Sequence, residues 1–237
     1  MFLGGTPSPW SVFDPIAIAV SQEFETVEIA LPGYGSSPPL PGRYTLSAAH
    51  EAVEDTLASA GIRACVLVGY SGGAYRALAI AVRGRVRVTG VYSVAGFAGL
   101  TPAHAEGMRG FAAALRAGQD LRPLAPTMFL SDSFASANPG AAAEVERWAC
   151  AAPAEAMASE LDAFGEAEDL TRAISGLRIP VVARVGSADK AIPLPYSKAI
   201  AEACPMGSLE IVEGAGHALP IEDLEGTTRS LRAFLGA

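Results

Sequence analysis

Short apolar runs alternate with segments of helical periodicity along most of the chain. Residues 24–31 place Val27, Ile29 and Leu31 on one face, which predicts a strand that ends at the turn-forming residues 32–35. Further apolar runs predict strands over residues 64–68, 86–94, 179–185 and 209–212. Apolar residues at helical spacing predict helices between them. This alternation is typical of βαβ units, so we expect an α/β fold with a mostly parallel sheet.

The middle of the chain departs from this alternation. Helices are predicted over residues 102–117, 121–130, 139–150, 153–164 and 169–174, each bounded by Pro, Gly or an Asn-Pro step. We therefore divide the chain into a core, residues 1–97 and 176–237, and an inserted helical cap, residues 98–175. Ligands of open α/β sheets bind beyond the carboxyl ends of the strands, so we expect this cap, or lid, to cover the site.

The composition excludes several classes of protein. Of the 237 residues, 50% are hydrophobic and 18% are charged, which suits one domain with a sizeable core. The formal net charge of −8 disfavours a nucleic acid or an anionic membrane as a partner. The mean hydropathy is +0.30, but no apolar run approaches the roughly 20 residues of a spanning helix. We therefore expect no nucleic-acid or membrane partner.

A few residues bear on where the protein is located and on whether it binds a cofactor. Residues 1–5 lack the basic and apolar regions of a signal peptide, which favours a cytoplasmic protein. The three cysteines, Cys65, Cys150 and Cys204, are far apart, unlike a disulfide framework or a metal knuckle. The histidines are not spaced as metal ligands, and no nucleotide-binding glycine motif stands at a strand-to-helix turn. The sequence thus predicts neither a metal nor another cofactor.

The most informative motif is Gly69-Tyr70-Ser71-Gly72-Gly73, a G-x-S-x-G sequence between a predicted strand and a predicted helix. Such a turn is so tight that glycines must flank the serine on both sides. The serine oxygen then stands at the carboxyl edge of the sheet and at a helix N-terminus, where the dipole favours a developing oxyanion. This context favours Ser71 as a nucleophile over an ordinary glycine turn.

A nucleophilic serine needs a base, and the base needs an acid that orients it. Asp189 and His217 each follow a predicted strand, so both should meet Ser71 at one edge of the sheet. The other two histidines are interpreted as surface residues, His50 on a helix and His104 at the start of the cap. We predict that Ser71, Asp189 and His217 form a catalytic triad.

An oxyanion hole requires backbone donors beside the nucleophile. The first predicted donor is the N–H group of Gly72, and the second is that of Thr6 in the glycine-containing loop 3–7. Gly5 in the same loop allows the backbone to approach a substrate closely.

Substrate contacts are predicted at Gly5, Tyr70, Phe111 and Phe134. Tyr70 precedes the nucleophile, whereas Phe111 and Phe134 belong to the cap, whose many Ala, Leu, Phe and Met residues predict an apolar pocket. Arg76, on the helix after the nucleophile, is interpreted either as a contact for a substrate carboxylate or as a solvated helix residue.

With these motifs the chain resembles the serine-nucleophile branch of the α/β-hydrolase superfamily, almost from end to end. Residues 3–8 are similar to the family's His-Gly-x-Pro oxyanion loop, residues 10–16 to its W-x-x-x-x-P-L stretch, and residues 31–37 to its D-x-P-G-x-G-x-S loop. The cap loosely resembles that of 3-oxoadipate enol-lactonases and related small lactonases and esterases. The resemblance implies a serine hydrolase with the triad named above.

Two departures from the family pattern carry consequences. Gly4 stands where the family usually has His, which bears on the anchoring of the oxyanion loop. The first two of the family's usual eight strands are absent and the third is reduced to residues 1–3, so we expect either a sheet of about six strands or a reading frame that starts late. The strand at residues 24–31 then lies at a sheet edge, and we expect a second copy of the chain to cover it in a homodimer.

The resemblance implies hydrolysis of a small ester or lactone, uncharged or acidic, through an acyl-enzyme. The same triad serves thioesterases, acyltransferases, carbon–carbon bond hydrolases and cofactor-free perhydrolases, and all of these stay open as alternatives. A further alternative is a non-catalytic member that binds a ligand in the capped pocket.

The edge position of residues 24–31 predicts self-association, because a second copy would satisfy the exposed strand. Light scattering over a wide concentration range is expected to give a mass above the 24.3 kDa of the monomer. A monomer mass at every concentration contradicts this prediction.

Overall fold

The computed structural model describes residues 1–7 and 10–236, and within them it contains six strands and twelve α-helices. The strands are Phe2–Leu3 (β1), Glu28–Ile29 (β2), Ala64–Tyr70 (β3), Arg87–Val94 (β4), Val181–Gly186 (β5) and Gly207–Val212 (β6). The α-helices are Asp14–Val20 (α1), Leu46–Ser59 (α2), Gly72–Arg83 (α3), Pro102–Arg116 (α4), Ala125–Phe129 (α5), Asp132–Ala137 (α6), Pro139–Ala151 (α7), Ala154–Gly165 (α8), Thr171–Ile174 (α9), Pro195–Ala203 (α10), Leu219–Glu222 (α11) and Leu224–Leu235 (α12). Trp10–Phe13 and Arg122–Leu124 are 3₁₀ helices.

The strands form one parallel sheet in the order β2-β1-β3-β4-β5-β6. Side chains alternate between its two faces, so Leu67 and Val68 of β3 enter different buried clusters. Helices cover both clusters, which is why the strands read as continuous apolar runs. The predicted α/β fold with a parallel sheet of six strands is confirmed, and the carboxyl ends of β3, β5 and β6 lie at the same edge.

The strand expected over residues 24–31 does lie at a sheet edge, but it is shorter than predicted. Only Glu28 and Ile29 are assigned to β2, and they pair with Phe2 and Leu3 of β1. Because β1 is itself only two residues long, it offers no partner for a longer strand.

Helix α1 was not predicted from the sequence pattern, where residues 10–16 carried only a motif. It buries Ile16, Ala17 and Val20 against the sheet. Seven residues are too few for a clear helical period. Ser8, the last residue of the loop that resembles the family's oxyanion loop, and Pro9 lie outside the described residues.

The whole segment between β4 and β5 is described, and it contains helices α4 to α9 and no strand. Helices α4 and α8 pack along each other through Ala112, Leu115, Met157 and Leu161. A second small cluster joins α5 and α7 around Phe129. None of the helices that the structure describes is long and apolar enough to cross a membrane.

A buried ion pair ties the cap to the core. Arg76 of α3 and Glu160 of α8 have side chains only 0% and 1% exposed, and their charged groups are in direct contact. Tyr34 donates to Glu160 Oε2 at 2.5 Å, and Arg76 Nη2 donates to the Tyr44 hydroxyl at 2.9 Å. The guanidinium also lies 5.1 Å from the ring centroid of Phe164. Because Arg76 is enclosed by the cap, both interpretations of it from the sequence are wrong.

The protonation of the surrounding groups suits this pair. Burial, and then the neighbouring Glu160, raise the pKa of Tyr34 well above its usual value. Burial raises the pKa of Tyr44 to about 12. Both phenols therefore stay protonated, and Tyr34 remains a hydrogen-bond donor to the carboxylate.

Replacing Glu160 by Gln keeps the shape of the side chain but leaves the Arg76 guanidinium buried without a counter-charge. We expect the free energy of unfolding in urea to fall by about 3–5 kcal/mol, the range for breaking a buried pair from one side. The matched double variant, Arg76→Met with Glu160→Leu, removes both charges and should recover most of the loss. A Glu160→Gln protein as stable as the wild type would contradict this account.

Candidate active site

Ser71 lies in a strained turn between β3 and α3. Its φ of 55° and ψ of −120° fall outside the regions that residues with a Cβ atom prefer, at a cost of about 1–3 kcal/mol. The turn is possible because its neighbours lack side chains. A Cβ atom on Gly69 would lie 2.3 Å from the Gly73 carbonyl oxygen, and one on Gly73 would lie 2.1 Å from that of Leu3. The glycine pattern of the sequence therefore has a direct steric cause.

Asp189 and His217 form a buried pair beyond the ends of β5 and β6. Asp189 Oδ2 lies 2.7 Å from His217 Nδ1, and the two side chains are 0% and 1% exposed. A carboxylate accepts hydrogen bonds, so Nδ1 carries a proton, and in the neutral imidazole Nε2 keeps a lone pair. The other carboxylate oxygen, Oδ1, accepts from the N–H groups of Ala191 at 2.9 Å and Ile192 at 2.8 Å. The arrangement leaves Nε2 of His217 able to take a proton.

The loops that carry this pair approach closely because of another glycine. A Cβ atom on Gly186, at the end of β5, would lie 2.2 Å from the Ala215 carbonyl oxygen. The imidazole of His217 is then packed on two aromatic rings, with centroids 5.1 Å away for Tyr70 and 5.0 Å for Phe129. These contacts fix the plane of the ring.

Thr6, Ser71 and His217 line a cavity of about 480 Å³, together with residues of the cap. Most of its wall is apolar, and its larger apolar residues are Met108, Phe111, Leu121, Met128, Phe129, Met157, Leu161 and Ile192. Arg122 and Lys190 also line it, but Arg122 is paired with Asp120, and Lys190 with Asp132. Ser71 and His217 therefore face the same largely apolar space, and Asp189 lies outside its wall, in contact with His217.

The predicted oxyanion residues lie beside Ser71. Gly5 passes so close that a Cβ atom there would lie 2.8 Å from Ser71 Cβ. Thr6 lines the cavity, and Gly72 is the first residue of α3, where backbone N–H groups point outward. The Phe164 ring covers Gly72, since a Cβ atom at that residue would lie 2.6 Å from it. A side chain at residue 72 would therefore collide with this ring.

Of the four residues predicted to contact substrate, one lines the cavity and three do not. Phe111 lines the cavity, whereas Gly5 lies against Ser71 and is not among the lining residues. Tyr70 is buried behind the His217 ring. Phe134 packs in the apolar cluster of α5 and α7, away from the cavity wall.

The other two histidines are not surface residues, so that part of the sequence interpretation is wrong. His50 is 4% exposed, and burial, together with the charges of Arg76 and Arg83, lowers its pKa to about 3. His104 is half-buried and lines the cavity. Both histidines lie on helices whose contacts come from distant parts of the chain. Among the described residues, no three His, Cys, Asp or Glu side chains are grouped in a way that would hold a metal ion.

Sequence reasoning missed Glu222, which anchors the loop of His217. Its carboxylate accepts from the N–H of Gly216 at 3.1 Å, and from the N–H and hydroxyl of Ser131 at 2.9 and 2.7 Å. Glu222 thereby joins the histidine loop to the start of α6 in the cap. Its position five residues after His217 is the only signal of this role in the sequence.

Comparisons with known proteins give a consistent result. The model of a family described as "Alpha/beta hydrolase family" matches residues 2–227. A search of curated protein sequences gave no match. Among solved structures, a thermophilic esterase from Thermogutta terrifontis is 24% identical with a TM-score of 0.91, over 99% of this chain and 88% of that one. The enol-lactonase from Burkholderia xenovorans is 22% identical with a TM-score of 0.90, over 100% and 90%. At these identities the two structures show a shared fold.

Glu222→Gln removes the charge that three donors share, so it should loosen the His217 loop. We expect the free energy of unfolding to fall by about 1–3 kcal/mol, as for a buried polar contact that loses its partner. Amide hydrogen exchange at Gly216 and Ser131 should accelerate. Glu225→Gln, on the exposed face of α12, is the matched control and should change neither quantity. Unchanged exchange at both amides in Glu222→Gln would refute the anchoring role.

Proposed function

The chain belongs to the alpha/beta hydrolase family, and from this we propose that it is a serine hydrolase that cleaves esters or lactones through an acyl-enzyme. One observation carries the proposal. The strained Ser71 and His217, which is paired with the buried Asp189, line the same capped cavity. A nucleophile, a base and an orienting acid are the three groups that acyl transfer requires.

In the proposed reaction, Nε2 of His217 takes the hydroxyl proton as Ser71 Oγ attacks the carbonyl carbon. Asp189 stabilises the imidazolium that forms. The N–H groups of Gly72 and Thr6 stabilise the oxyanion, where losing one such donor typically costs about 10²–10³ in rate. The carbon–oxygen bond then breaks, and His217 returns the proton to the departing alcohol. Water attacks the acyl-enzyme by the same route, releasing the acid and restoring Ser71.

The cavity favours a neutral substrate with an apolar acyl group. No acidic side chain lines its described wall, and both lining cations are already paired with carboxylates. A substrate carboxylate in this space would be desolvated without a free partner. The solved structures of an esterase and an enol-lactonase with this fold support esters and lactones as the bond types.

The triad is tested by labelling with a fluorophosphonate, followed by intact mass and peptide mapping. We expect a single adduct on Ser71 in the wild type and none in Ser71→Ala or His217→Ala, because the reagent reacts only with an activated serine. Ser59→Ala, at an exposed serine, is the control and should label fully. Folded wild-type protein that takes up no label, or Ser71→Ala that keeps full esterase activity, would overturn the proposal.

The acyl preference is tested with two 4-nitrophenyl esters of equal chain length, the butyrate and the hemisuccinate. We expect kcat/KM to be at least about 100-fold higher for the butyrate, since the terminal carboxylate of the hemisuccinate would enter an apolar space unpaired. Equal values for the two esters would contradict an apolar acyl site.

A further inference from the structure

His104 connects the cap to the acid of the triad. It lies in the first turn of α4, and its Nε2 is 3.1 Å from the carbonyl oxygen of Ala191. The N–H of the same peptide group, which belongs to Ile192, donates to Asp189 Oδ1 at 2.8 Å. Asp189 Oδ2 in turn holds His217 Nδ1 at 2.7 Å. One peptide unit therefore stands between a cap histidine and the catalytic carboxylate.

The acceptors in this series of hydrogen bonds determine where the protons of His104 lie. A carbonyl oxygen only accepts, so His104 carries a proton on Nε2. If the ring is neutral, its Nδ1 accepts from the hydroxyl of Tyr196 at 2.8 Å. The phenol oxygen then accepts from the N–H of Thr101 at 3.3 Å, which lies just before α4. Both ring nitrogens of His104 are thus engaged, and the orientation of its ring is fixed.

We infer that His104 is a positioning residue for Asp189 and acts through the Ala191–Ile192 peptide. This inference rests on the proposed function. By holding the carbonyl of Ala191, the imidazole keeps the N–H of Ile192 directed at Oδ1. The carboxylate is then held in the plane that presents Oδ2 to His217. Since the donor belongs to the cap, the triad is fully ordered only when the start of α4 is docked on this loop.

The imidazole also lines the cavity, so a contact with substrate is the competing explanation. The two roles differ in what they change. A substrate contact alters KM and depends on the acyl group. A positioning role lowers kcat for every ester and alters the Asp189 loop in the free protein, where no substrate is present.

The test compares His104→Phe, which keeps a ring without a donor, with His104→Gln, whose amide can donate to the Ala191 carbonyl. For His104→Phe we expect kcat to fall about tenfold with KM nearly unchanged, at the lower end of the losses found when the partners that orient metal-bound imidazoles are removed. In the free protein, the Ile192 amide should exchange faster and the low-field resonance of the His217 Nδ1 proton should broaden. His104→Gln should restore most of kcat and slow the exchange again.

Tyr196→Phe provides a second variant, since it removes the hydroxyl that orients the ring and leaves His104 in place. It should shift kcat and Ile192 exchange in the same direction by a smaller factor. Unchanged Ile192 exchange in His104→Phe, equal losses in the Gln and Phe variants, or an effect confined to KM would each overturn the inference. Failure of the proposed function is recognised separately, because wild-type Ser71 would then take up no fluorophosphonate.

Discussion

Backbone segments pack around Ser71 so closely that no side chain would fit between them, and the rest of the site depends on these contacts. The Gly73 backbone packs on the Leu3 carbonyl, and Gly69 packs on Gly73, at distances where a Cβ atom would overlap. These contacts press β1, β3 and the start of α3 together. They place the loop of Gly5 beside the serine and impose a positive φ on Ser71. The strain is local, and the parallel sheet beneath it absorbs the cost.

The cap is joined to this frame at the elements that carry the chemistry. The Arg76–Glu160 pair links α8 to the helix that begins beside Ser71, and Glu222 links the start of α6 to the loop of His217. If the cap were displaced, Arg76 would lose its counter-charge, and the N–H groups of Gly216 and Ser131 would lose their acceptor. Because such groups are costly to bury alone, the contacts favour one arrangement of cap and core.

Polar and apolar groups are separated within the cavity. His217 lines it and packs against the rings of Tyr70 and Phe129, while Asp189, outside the wall, has both carboxylate oxygens engaged. The larger apolar side chains of the wall are methionine, phenylalanine, leucine and isoleucine. In a space of low polarity, a charge that develops next to fixed donors is stabilised more than it would be in water. The wall therefore contributes to the electrostatics of the site as well as to its shape.

The sequence by itself determined the α/β alternation, the helical segment between β4 and β5, and the placing of Ser71, Asp189 and His217 after strands, because these depend on local periodicity and turn residues. Tertiary structure decided the rest. Glu222 meets Ser131 from 91 residues away, and His104 meets Ala191 from 87. The packing of Phe134 away from the cavity wall and the burial of His50 also depend on residues that are distant in the sequence. Periodicity shows which face of a helix is apolar, but the packing of distant elements selects what that face meets.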